Sequence, residues 1–302
     1  MSCARKAGTY RRRKYRTVTR VAPSNFVADL QRLRNWPSMK GSVWRRAFLV
    51  ELTHTQNSRL LTGSIRGQKL RILDIGCGTG FISLELSRMG HDVLGLDRND
   101  RMIEIATRTK RTSDSVIGKL QYEVADFDKW SGTAGAYDVV MFSRVLHDLP
   151  DPENILRKTH RLLKSHGRLV CLEYAYNMMD ERAAAWLYQI RKPLELQGWY
   201  STTHLPDDPG KGVDHIMREA ATERKEHINT FEEMIRPLKR LFRQESLSWH
   251  PYYFWDVLSD IRIPNPRIEK RFASMVMNME RFLLRTGEIQ PVLFLYRGTK
   301  KV

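Results

Sequence analysis

The sequence predicts an α/β protein in which the strands of one sheet alternate with helices. Two observations carry this prediction. Short apolar runs recur along the chain and are followed by segments whose apolar residues repeat at helical spacing. The first run, residues 70–75, leads directly into a glycine-rich turn and then into a helical pattern. A length of 302 residues suffices for one large domain or two small ones.

The composition is that of a globular protein, with 41% hydrophobic and 28% charged residues. The sequence shows no run of 18 apolar residues, so we expect no transmembrane helix. The three cysteines, Cys3, Cys77 and Cys171, are too few and too scattered for a zinc motif or a disulfide framework. They indicate reduced thiols, and we expect a cytoplasmic protein.

The positive charge is concentrated near the N-terminus. The net charge is +17, and residues 1–50 hold 13 Lys/Arg against one acid, Asp29. We interpret residues 1–42 as a flexible basic arm, because such a segment buries too little apolar surface to order itself. A solubilising tail is the first interpretation. The alternatives are contact with RNA or an anionic surface and an Arg-rich organelle-targeting segment. Residues 43–302 are expected to form the main domain.

The glycine turn has the features of a nucleoside-binding site. Gly76, Gly78 and Gly80 permit positive φ and a close approach of backbone to ligand, and the following helix offers unpaired N–H groups. The third glycine comes one residue too early for the dinucleotide motif G-x-G-x-x-G. Asp97 ends the next strand about 20 residues later, where an acid accepts hydrogen bonds from ribose hydroxyls. The alternative for Asp97 is a place in the start of the next helix.

Five sequence elements follow one another in a fixed order. They are residues 73–80 (LDIGCGTG), 93–97 (VLGLD), 124–127 (VADF), 137–142 (YDVVMF) and 147–170. Together they resemble the class I S-adenosylmethionine-dependent methyltransferases, in particular the type 11 members. The resemblance spans about residues 69–174. It implies a Rossmann-like seven-stranded methyltransferase sheet with helices on both faces, an inserted helical lid, and S-adenosyl-L-methionine as the cofactor.

The resemblance also implies a cofactor site made of residues at and just beyond the strand ends. These residues are Asp74, Gly76, Cys77, Gly78, Gly80, Asp97, Arg98, Asp126, Phe127 and Ser143. Asp74 and the glycines would shape the pocket for the methionine part, and Asp97 would hold the ribose. Asp126 and Phe127 would flank the adenine, and Ser143 would lie near the sulfonium. Asp74 could also bind the amides of the turn, and Phe127 could equally belong to the core.

Methyl transfer from a sulfonium is an in-line displacement, so the protein mainly aligns the reactants and excludes water. A base is needed only when the acceptor arrives protonated. His147, which follows the fourth strand, is the candidate catalytic base. Asp148 either orients it or only begins the turn at Pro150. In many type 11 members a similar histidine is structural, and that alternative stays open.

An insert follows the fifth strand. Residues 175–229 contain two predicted helices, and we expect this insert to cover the acceptor as a lid, because substrate sites in this fold lie beyond the carboxyl ends of the strands. An elaboration of the packing is the alternative. The candidate acceptor-binding residues are His147, Tyr174, Trp199, Tyr200 and His204. No metal site is expected, because the spacing of three histidines matches no common ligand pattern: His204, His215 and His227.

The C-terminal part is predicted to complete the sheet. Residues 245–258 should contain the sixth strand and residues 291–297 the last, with a helix between them. An aromatic cluster in the sixth-strand region either stacks a flat substrate or fills the core from a strand. It consists of Trp249, His250, Tyr252, Tyr253 and Trp255.

The function that the sequence favours is methyl transfer to oxygen, nitrogen or carbon of a small-molecule acceptor. The near-neutral main domain and the lid-sized insert support it. An RNA methyltransferase that uses the basic arm is an alternative, although Ser143-Arg144-Val145 is not the Asn/Asp-Pro-Pro-aromatic loop used on exocyclic base amines. A cofactor-binding protein without catalysis is a second alternative.

Overall fold

The computed structural model describes residues 47–113, 116–200, 204–224 and 229–301. The predicted arm, residues 1–42, lies outside the described residues, and so does His227. The helices and strands follow in this order: α1 (Ala47–Thr62), β1 (Arg71–Ile75), α2 (Phe81–Arg88), β2 (Asp92–Asp97), α3 (Asp100–Thr112), β3 (Leu120–Val124), β4 (Tyr137–Ser143), α4 (Pro152–Leu162), β5 (Leu163–Tyr174), α5 (Glu181–Leu196), α6 (Pro209–Arg224), α7 (Phe231–Leu241), β6 (Phe242–His250), α8 (Tyr253–Asp260), α9 (Pro266–Thr286) and β7 (Leu293–Lys300).

The strands form one seven-stranded sheet in the order β3-β2-β1-β4-β5-β7-β6. The first five strands of that order are parallel, and β7 runs antiparallel between β5 and β6. β2 and β3 lie on one side of β1, and β4 and β5 lie on its other side, so the strand order reverses between β1 and β4. In open α/β sheets, ligands bind in the crevice at such a reversal, beyond the carboxyl ends of the strands. The predicted fold class is confirmed.

Side chains of the central strands alternate between two cores, as the period of two along a strand requires. On one face, Leu73 and Ile75 join a buried cluster with residues of α4 and α7. On the other face, Ile72 joins a cluster with Leu84 and Leu86 of α2. The sheet is therefore covered by helices on both sides, and this burial is the main stabilisation of its parallel strands.

A third core is almost entirely helical. It contains buried residues of α1, α5, α6, α8 and α9, among them Leu49, Leu187, Ile216, Val257 and Val276. The predicted insert contributes two of these helices. A short 3-10 turn at Tyr176–Met178 leads from β5 into it, and α5 is capped by Asp180, whose side chain accepts a hydrogen bond from Ala183 N. Among the described residues, no helix combines the length and apolarity that crossing a bilayer requires.

The predicted sixth strand is right only in part. β6 ends at His250, and Tyr253–Asp260 is the helix α8. Trp249 and His250 thus lie on a strand, whereas Tyr253 and Trp255 lie on a helix. A distant residue explains why the chain becomes helical here. The carboxylate of Glu280, on α9, accepts hydrogen bonds from the backbone N–H groups of residues 252, 253 and 254. These are the groups that a helix N-terminus leaves unpaired.

Candidate functional site

The glycine turn joins β1 to α2 at the crevice of the sheet. Gly76, Gly78 and Gly80 have φ angles of 67°, 53° and 76°, which L side chains rarely adopt. A Cβ on Gly76 would lie 2.6 Å from the side chain of Val145, whereas a Cβ on Gly78 would meet nothing within 4 Å. The turn is therefore closely packed on one side, and its backbone faces open space at Gly78.

Asp74 is buried directly before this turn, at 1% exposure. Its Oδ2 accepts a 2.6 Å hydrogen bond from the hydroxyl of Ser83. Its Oδ1 is buried and has no hydrogen-bond partner in the described part of the chain. Burial raises the pKa of Asp74 to about 7, although the bond from Ser83 acts in the opposite direction. A buried carboxylate oxygen without a donor is costly, so the site fits a ligand that brings an N–H or O–H group.

Asp97 holds the turn from the neighbouring strand. Its Oδ2 accepts a hydrogen bond from Gly78 N at 2.8 Å, and its Oδ1 accepts one from Asn99 N at 2.9 Å. The residue that caps the next helix is Asn99, whose side chain accepts from Arg101 N and Met102 N. Asp97 thus stabilises the glycine turn and the approach to α3 at the same time. Its role towards a ribose stays a prediction.

A cavity of about 280 Å³ opens beside these residues. It brings together five of the predicted cofactor residues, namely Gly76, Asp97, Arg98, Asp126 and Phe127. Other residues line it that were not predicted to do so, among them Asn99, Met102, Arg144, Leu149, and Asp148, which was named only as a partner of His147. No sequence motif marks these residues, because they reach the cavity from the start of α3 and from the turn after β4.

The other predicted cofactor residues do not line this cavity. The Sγ of Cys77 lies next to Gly95, so its side chain points away from the cavity into the packing around the turn. A Cβ on Gly80 would collide with Tyr122 and Ala106, which explains the need for glycine there without a ligand. Ser143 ends β4 and is half-buried. Asp74 lies beneath the turn.

Phe127 belongs to the core and also lines the cavity, and its contact with an adenine stays a prediction. It is buried at 3% exposure, lies edge-on to Phe142 and is stacked on Trp130, while it also lines the cavity. Asp126, beside it, accepts a hydrogen bond from Asp128 N at 3.2 Å. A flat apolar ring next to a half-exposed acid suits a purine with an exocyclic amino group.

His147 lies in the 3-10 turn Leu146–Asp148 that follows β4. Its Nδ1 is 2.7 Å from Oε2 of Glu173, and since a carboxylate only accepts hydrogen bonds, Nδ1 carries the hydrogen. The other oxygen of Glu173 accepts from Val145 N at 2.9 Å and Leu146 N at 2.8 Å. Asp148 is exposed, and its carboxylate is 3.5 Å from Nε2 of His147. The residue that orients His147 is therefore Glu173, which the sequence analysis missed, and not Asp148.

The electrostatics of His147 follow from this contact. Burial lowers the pKa of the imidazole, but the hydrogen bond and the charge of Glu173 outweigh it, so the pKa lies above 6.5. Asp148 acts in the same direction as Glu173, and Arg144 acts against it. The carboxylate thus makes His147 a stronger base than an exposed histidine.

Aromatic side chains surround His147. Tyr174 and Tyr176 lie edge-on to its ring, with centroid distances of 5.4 Å and 5.8 Å, and Tyr252 packs on Tyr174 at 4.3 Å. Arg144 donates a 3.1 Å hydrogen bond to the hydroxyl of Tyr174. Arg144 has a φ of 59°, a strained value for a residue other than glycine. The turn after β4 therefore carries a cation and an imidazole that pack among tyrosine rings from the end of β5 and the start of α8.

The three remaining acceptor-binding candidates lie in the insert. Tyr200 is buried, and its hydroxyl donates to the backbone oxygen of Asp256 at 2.9 Å. Trp199 packs on the helical core, and His204 is exposed and pairs with Glu195 at 2.9 Å. These contacts are internal to the insert and its neighbouring helices, and the role of the three residues towards an acceptor stays a prediction. No group of three or more potential metal ligands occurs within the described ranges.

Comparison with known proteins decides the family. A family model described as "Methyltransferase domain" matches residues 67–234, which is more than half of the chain. The chain belongs to this methyltransferase family. It is a methyltransferase that uses S-adenosylmethionine.

Among curated proteins, this methyltransferase is similar to ubiquinone biosynthesis O-methyltransferases. The protein from Coxiella burnetii is 23% identical over 198 residues, which cover 59% of this chain and 83% of that protein. The protein from Escherichia coli is 24% identical over 212 residues, covering 62% and 85%.

Among solved structures, it is similar to a geranyl diphosphate C-methyltransferase from Streptomyces coelicolor, with a TM-score of 0.55 and 14% identity. That alignment covers 89% of this chain and 84% of the other. At this identity the likeness supports the fold alone.

The residues of the methyltransferase fit the cofactor that its family uses. Asp74 offers an oxygen without a donor, the backbone is open above Gly78, and the cavity beside Asp97 ends on a flat ring and an acid. These three features suit, respectively, an N–H donor such as an ammonium group, the close approach of a ligand to the backbone, and a purine nucleoside.

Proposed function

We propose that this methyltransferase transfers its methyl group to a hydroxyl oxygen of a small acceptor, with His147 as the general base. The observation that carries the proposal is the buried contact between His147 Nδ1 and Glu173 Oε2 at 2.7 Å. With the hydrogen held on Nδ1, the lone pair of the imidazole is on Nε2. A hydroxyl placed at Nε2 could lose its proton as its oxygen attacks the methyl carbon.

The cofactor would be held by the acids at the strand ends. Asp74 would accept a hydrogen bond from the ammonium of the methionine part, Asp97 would accept from the ribose, and Asp126 with Phe127 would enclose the adenine. Bound S-adenosylmethionine would supply a methyl group attached to a sulfonium. When this methyl group is transferred, the sulfur leaves as a neutral thioether, which is a good leaving group. The protein therefore needs only to align the acceptor, exclude water and take up one proton.

The acceptor class follows from the side chains around His147. Tyr174, Tyr176 and Tyr252 present rings close to the proposed base, and such rings favour a flat aromatic acceptor by edge and face contacts. A phenolic hydroxyl also has the acidity that a histidine base can match. The names of the curated relatives, which are O-methyltransferases, support oxygen as the acceptor atom.

The insert would close the acceptor side. Its last described residue, Asn229, donates from its side chain to Leu146 O at 3.0 Å and to Leu149 O at 2.7 Å. Its backbone N–H donates to His147 O at 2.8 Å. The end of the insert is thus attached to the turn that carries the base, as a cover over the acceptor requires.

The test is turnover with radiolabelled S-adenosylmethionine and a panel of simple phenols and catechols. His147→Gln should lower kcat by about 10²-fold or more, because general-base catalysis contributes that much, while the affinity for S-adenosylmethionine stays the same. His166→Gln is the matched control, since His166 is exposed on β5. Full turnover by His147→Gln, or a product methylated on carbon or nitrogen, would contradict the proposal.

A further inference from the structure

Helix α9 exposes an apolar stripe that no described element covers. Its members are Ile268, Met275, Met279 and Phe282, with exposures of 51%, 47%, 41% and 54%. They recur at i, i+7, i+11 and i+14, so they lie along one side of the helix. A contiguous apolar strip of this kind on a folded protein is uncommon and marks an interaction site.

The charges on the same helix have one sign. Its exposed charged residues are all basic: Arg267, Lys270, Arg271, Arg281 and Arg285. Its two acids, Glu269 and Glu280, are both buried at 0% exposure. The acid at 280 points inwards, since it accepts hydrogen bonds from the start of α8. The outer face of the helix is therefore apolar and cationic, and the helix itself contributes no exposed acid.

The stripe and the basic residues share one shallow groove. A groove of about 930 Å³ is lined by Met275, Met279, Phe282 and Leu283 together with Arg267, Lys270 and Arg271. The guanidinium of Arg285 lies 5.5 Å from the ring centre of Phe282. The apolar and cationic groups are thus close enough to meet one surface at the same time.

We propose that α9 docks the enzyme on the surface of an anionic lipid bilayer. A helix with an apolar face and basic flanks lies in the plane of the interface, where its apolar side chains enter the acyl boundary and its Lys and Arg side chains meet the headgroups. Each basic residue near such a surface adds to the attraction of the helix for anionic headgroups. The helix does not cross the bilayer, and the enzyme remains a peripheral protein.

The charges disfavour the other occupants of the groove. Residues 1–46 carry 13 Lys/Arg and one acid, so they would be repelled by the basic flank of α9. A second copy paired through the same face would bring the same arginines together. A nucleic acid would satisfy the cations but would leave the stripe of Met and Phe without an apolar partner.

The experiment is flotation of the full chain with phosphatidylcholine vesicles, with and without phosphatidylglycerol. We expect binding to the anionic vesicles only, weakening as salt is added. Met279→Ser/Phe282→Ser should weaken that binding by about tenfold or more, because the variant loses the two apolar side chains that would enter the acyl region of the bilayer. Lys270→Glu/Arg271→Glu should weaken it by at least about tenfold. Leu196→Ser is the matched control, because Leu196 is 69% exposed at the end of α5 and should not matter.

Thermal melts and S-adenosylmethionine affinity of each variant show that the fold is intact. Equal binding to both kinds of vesicle, or no binding, overturns the proposal. So does a result in which deletion of residues 1–42 abolishes binding while both α9 variants bind like the unchanged chain. A dimer that Met279→Ser/Phe282→Ser dissociates would assign the face to a second copy instead.

Discussion

Replacement of Glu173 by glutamine tests the proposed base with almost no change in side-chain size. Glu173 is buried at 0% exposure and makes three hydrogen bonds, with Val145 N at 2.9 Å, Leu146 N at 2.8 Å and His147 Nδ1 at 2.7 Å. A glutamine oxygen can keep the two bonds from the backbone. The amide nitrogen then faces Nδ1 of His147, where the carboxylate oxygen was.

The consequence for catalysis is a change of tautomer. An amide N–H donates, so Nδ1 of His147 must accept, and the ring hydrogen moves to Nε2. An imidazole with its hydrogen on Nε2 has no lone pair there to receive the acceptor's proton. We therefore expect kcat to fall by about 10²-fold or more, as when a general base is lost, with an unchanged affinity for S-adenosylmethionine.

The pH dependence changes in a defined direction. In the unchanged enzyme the pKa of His147 lies above 6.5, so kcat/KM should rise as the pH rises through that raised pKa and then level off. Glu173→Gln removes the hydrogen bond and charge that raise the pKa, so the inflection should move to lower pH. The raised pKa of His147 also stabilises the fold. This stabilisation is fully present below pH 6.5, and it is lost as the pH rises through the pKa that His147 has in the folded protein. The variant should lack this contribution.

The assay is a pH–rate profile together with urea unfolding at two pH values. Loss of the charge-assisted bond should lower the free energy of unfolding at pH 6 by about 1–3 kcal/mol. His147→Gln and the double variant Glu173→Gln/His147→Gln serve as controls. The double variant should lower kcat by no more than either single substitution does. A Glu173→Gln enzyme with near-normal kcat and an unmoved inflection would refute the assignment of His147 as the base.

Three further predictions concern the cofactor side. Gly76→Ala should lower the free energy of unfolding by about 2–4 kcal/mol, because its φ is 67° and its Cβ would lie 2.6 Å from Val145. In urea unfolding Gly78→Ala should lose less free energy of unfolding than Gly76→Ala, since a Cβ at Gly78 has open space. An equal loss in the two variants would contradict this. Asp97→Ala should weaken S-adenosylmethionine binding by about 10-fold or more in calorimetry, and an unchanged Kd would refute the ribose contact. Because the pKa of Asp74 is about 7 and its ionised form is the proposed partner of an ammonium, cofactor affinity should rise as the pH rises through 7. Asp74→Asn should abolish that pH dependence, and its persistence would contradict the assignment.

The cofactor side was predictable because its signals are local. A strand, three glycines and a helix within residues 70–90 predict the turn, and the structure has β1, positive φ at Gly76, Gly78 and Gly80, and then α2. Asp97 at the end of β2 follows in the same way. Parallel strands bring their carboxyl ends to one edge of the sheet, so residues at those ends meet whatever the distance between them in the sequence.

The acceptor side was less predictable because its contacts are long-range. The sequence offers Asp148 as a partner of His147 because the two are neighbours in the chain, whereas in the structure Glu173, 26 residues away, binds the imidazole. That contact depends on the register between β4 and β5, in which Ser143 pairs with Leu172. The start of α8 was missed for the same reason, since its capping acid, Glu280, is 26–28 residues further along the chain.

The apolar residues of α9 show a different limit. Their helical spacing predicts the helix but not which face is buried. Val276 is buried, whereas Met275 and Met279 are exposed. Period and hydrophobicity alone cannot make this distinction, because a membrane-facing stripe and a core-facing stripe have the same composition.

Two buried glutamates shape the acceptor side in the same way. Glu173 accepts N–H groups from the turn that carries His147, and Glu280 accepts N–H groups at Tyr252, Tyr253 and Phe254. Both acids hold backbone N–H groups, and Glu173 also holds the side chain of His147. The bonds to the backbone do not depend on which side chains the held segments carry. Glu280 binds Tyr252 only through its backbone N–H, so the ring of Tyr252, which packs on Tyr174, can be exchanged while that bond to the start of α8 is kept. The proposed base and its orienting acid lie outside that exchangeable set, because their contact is itself one of the bonds that hold the turn.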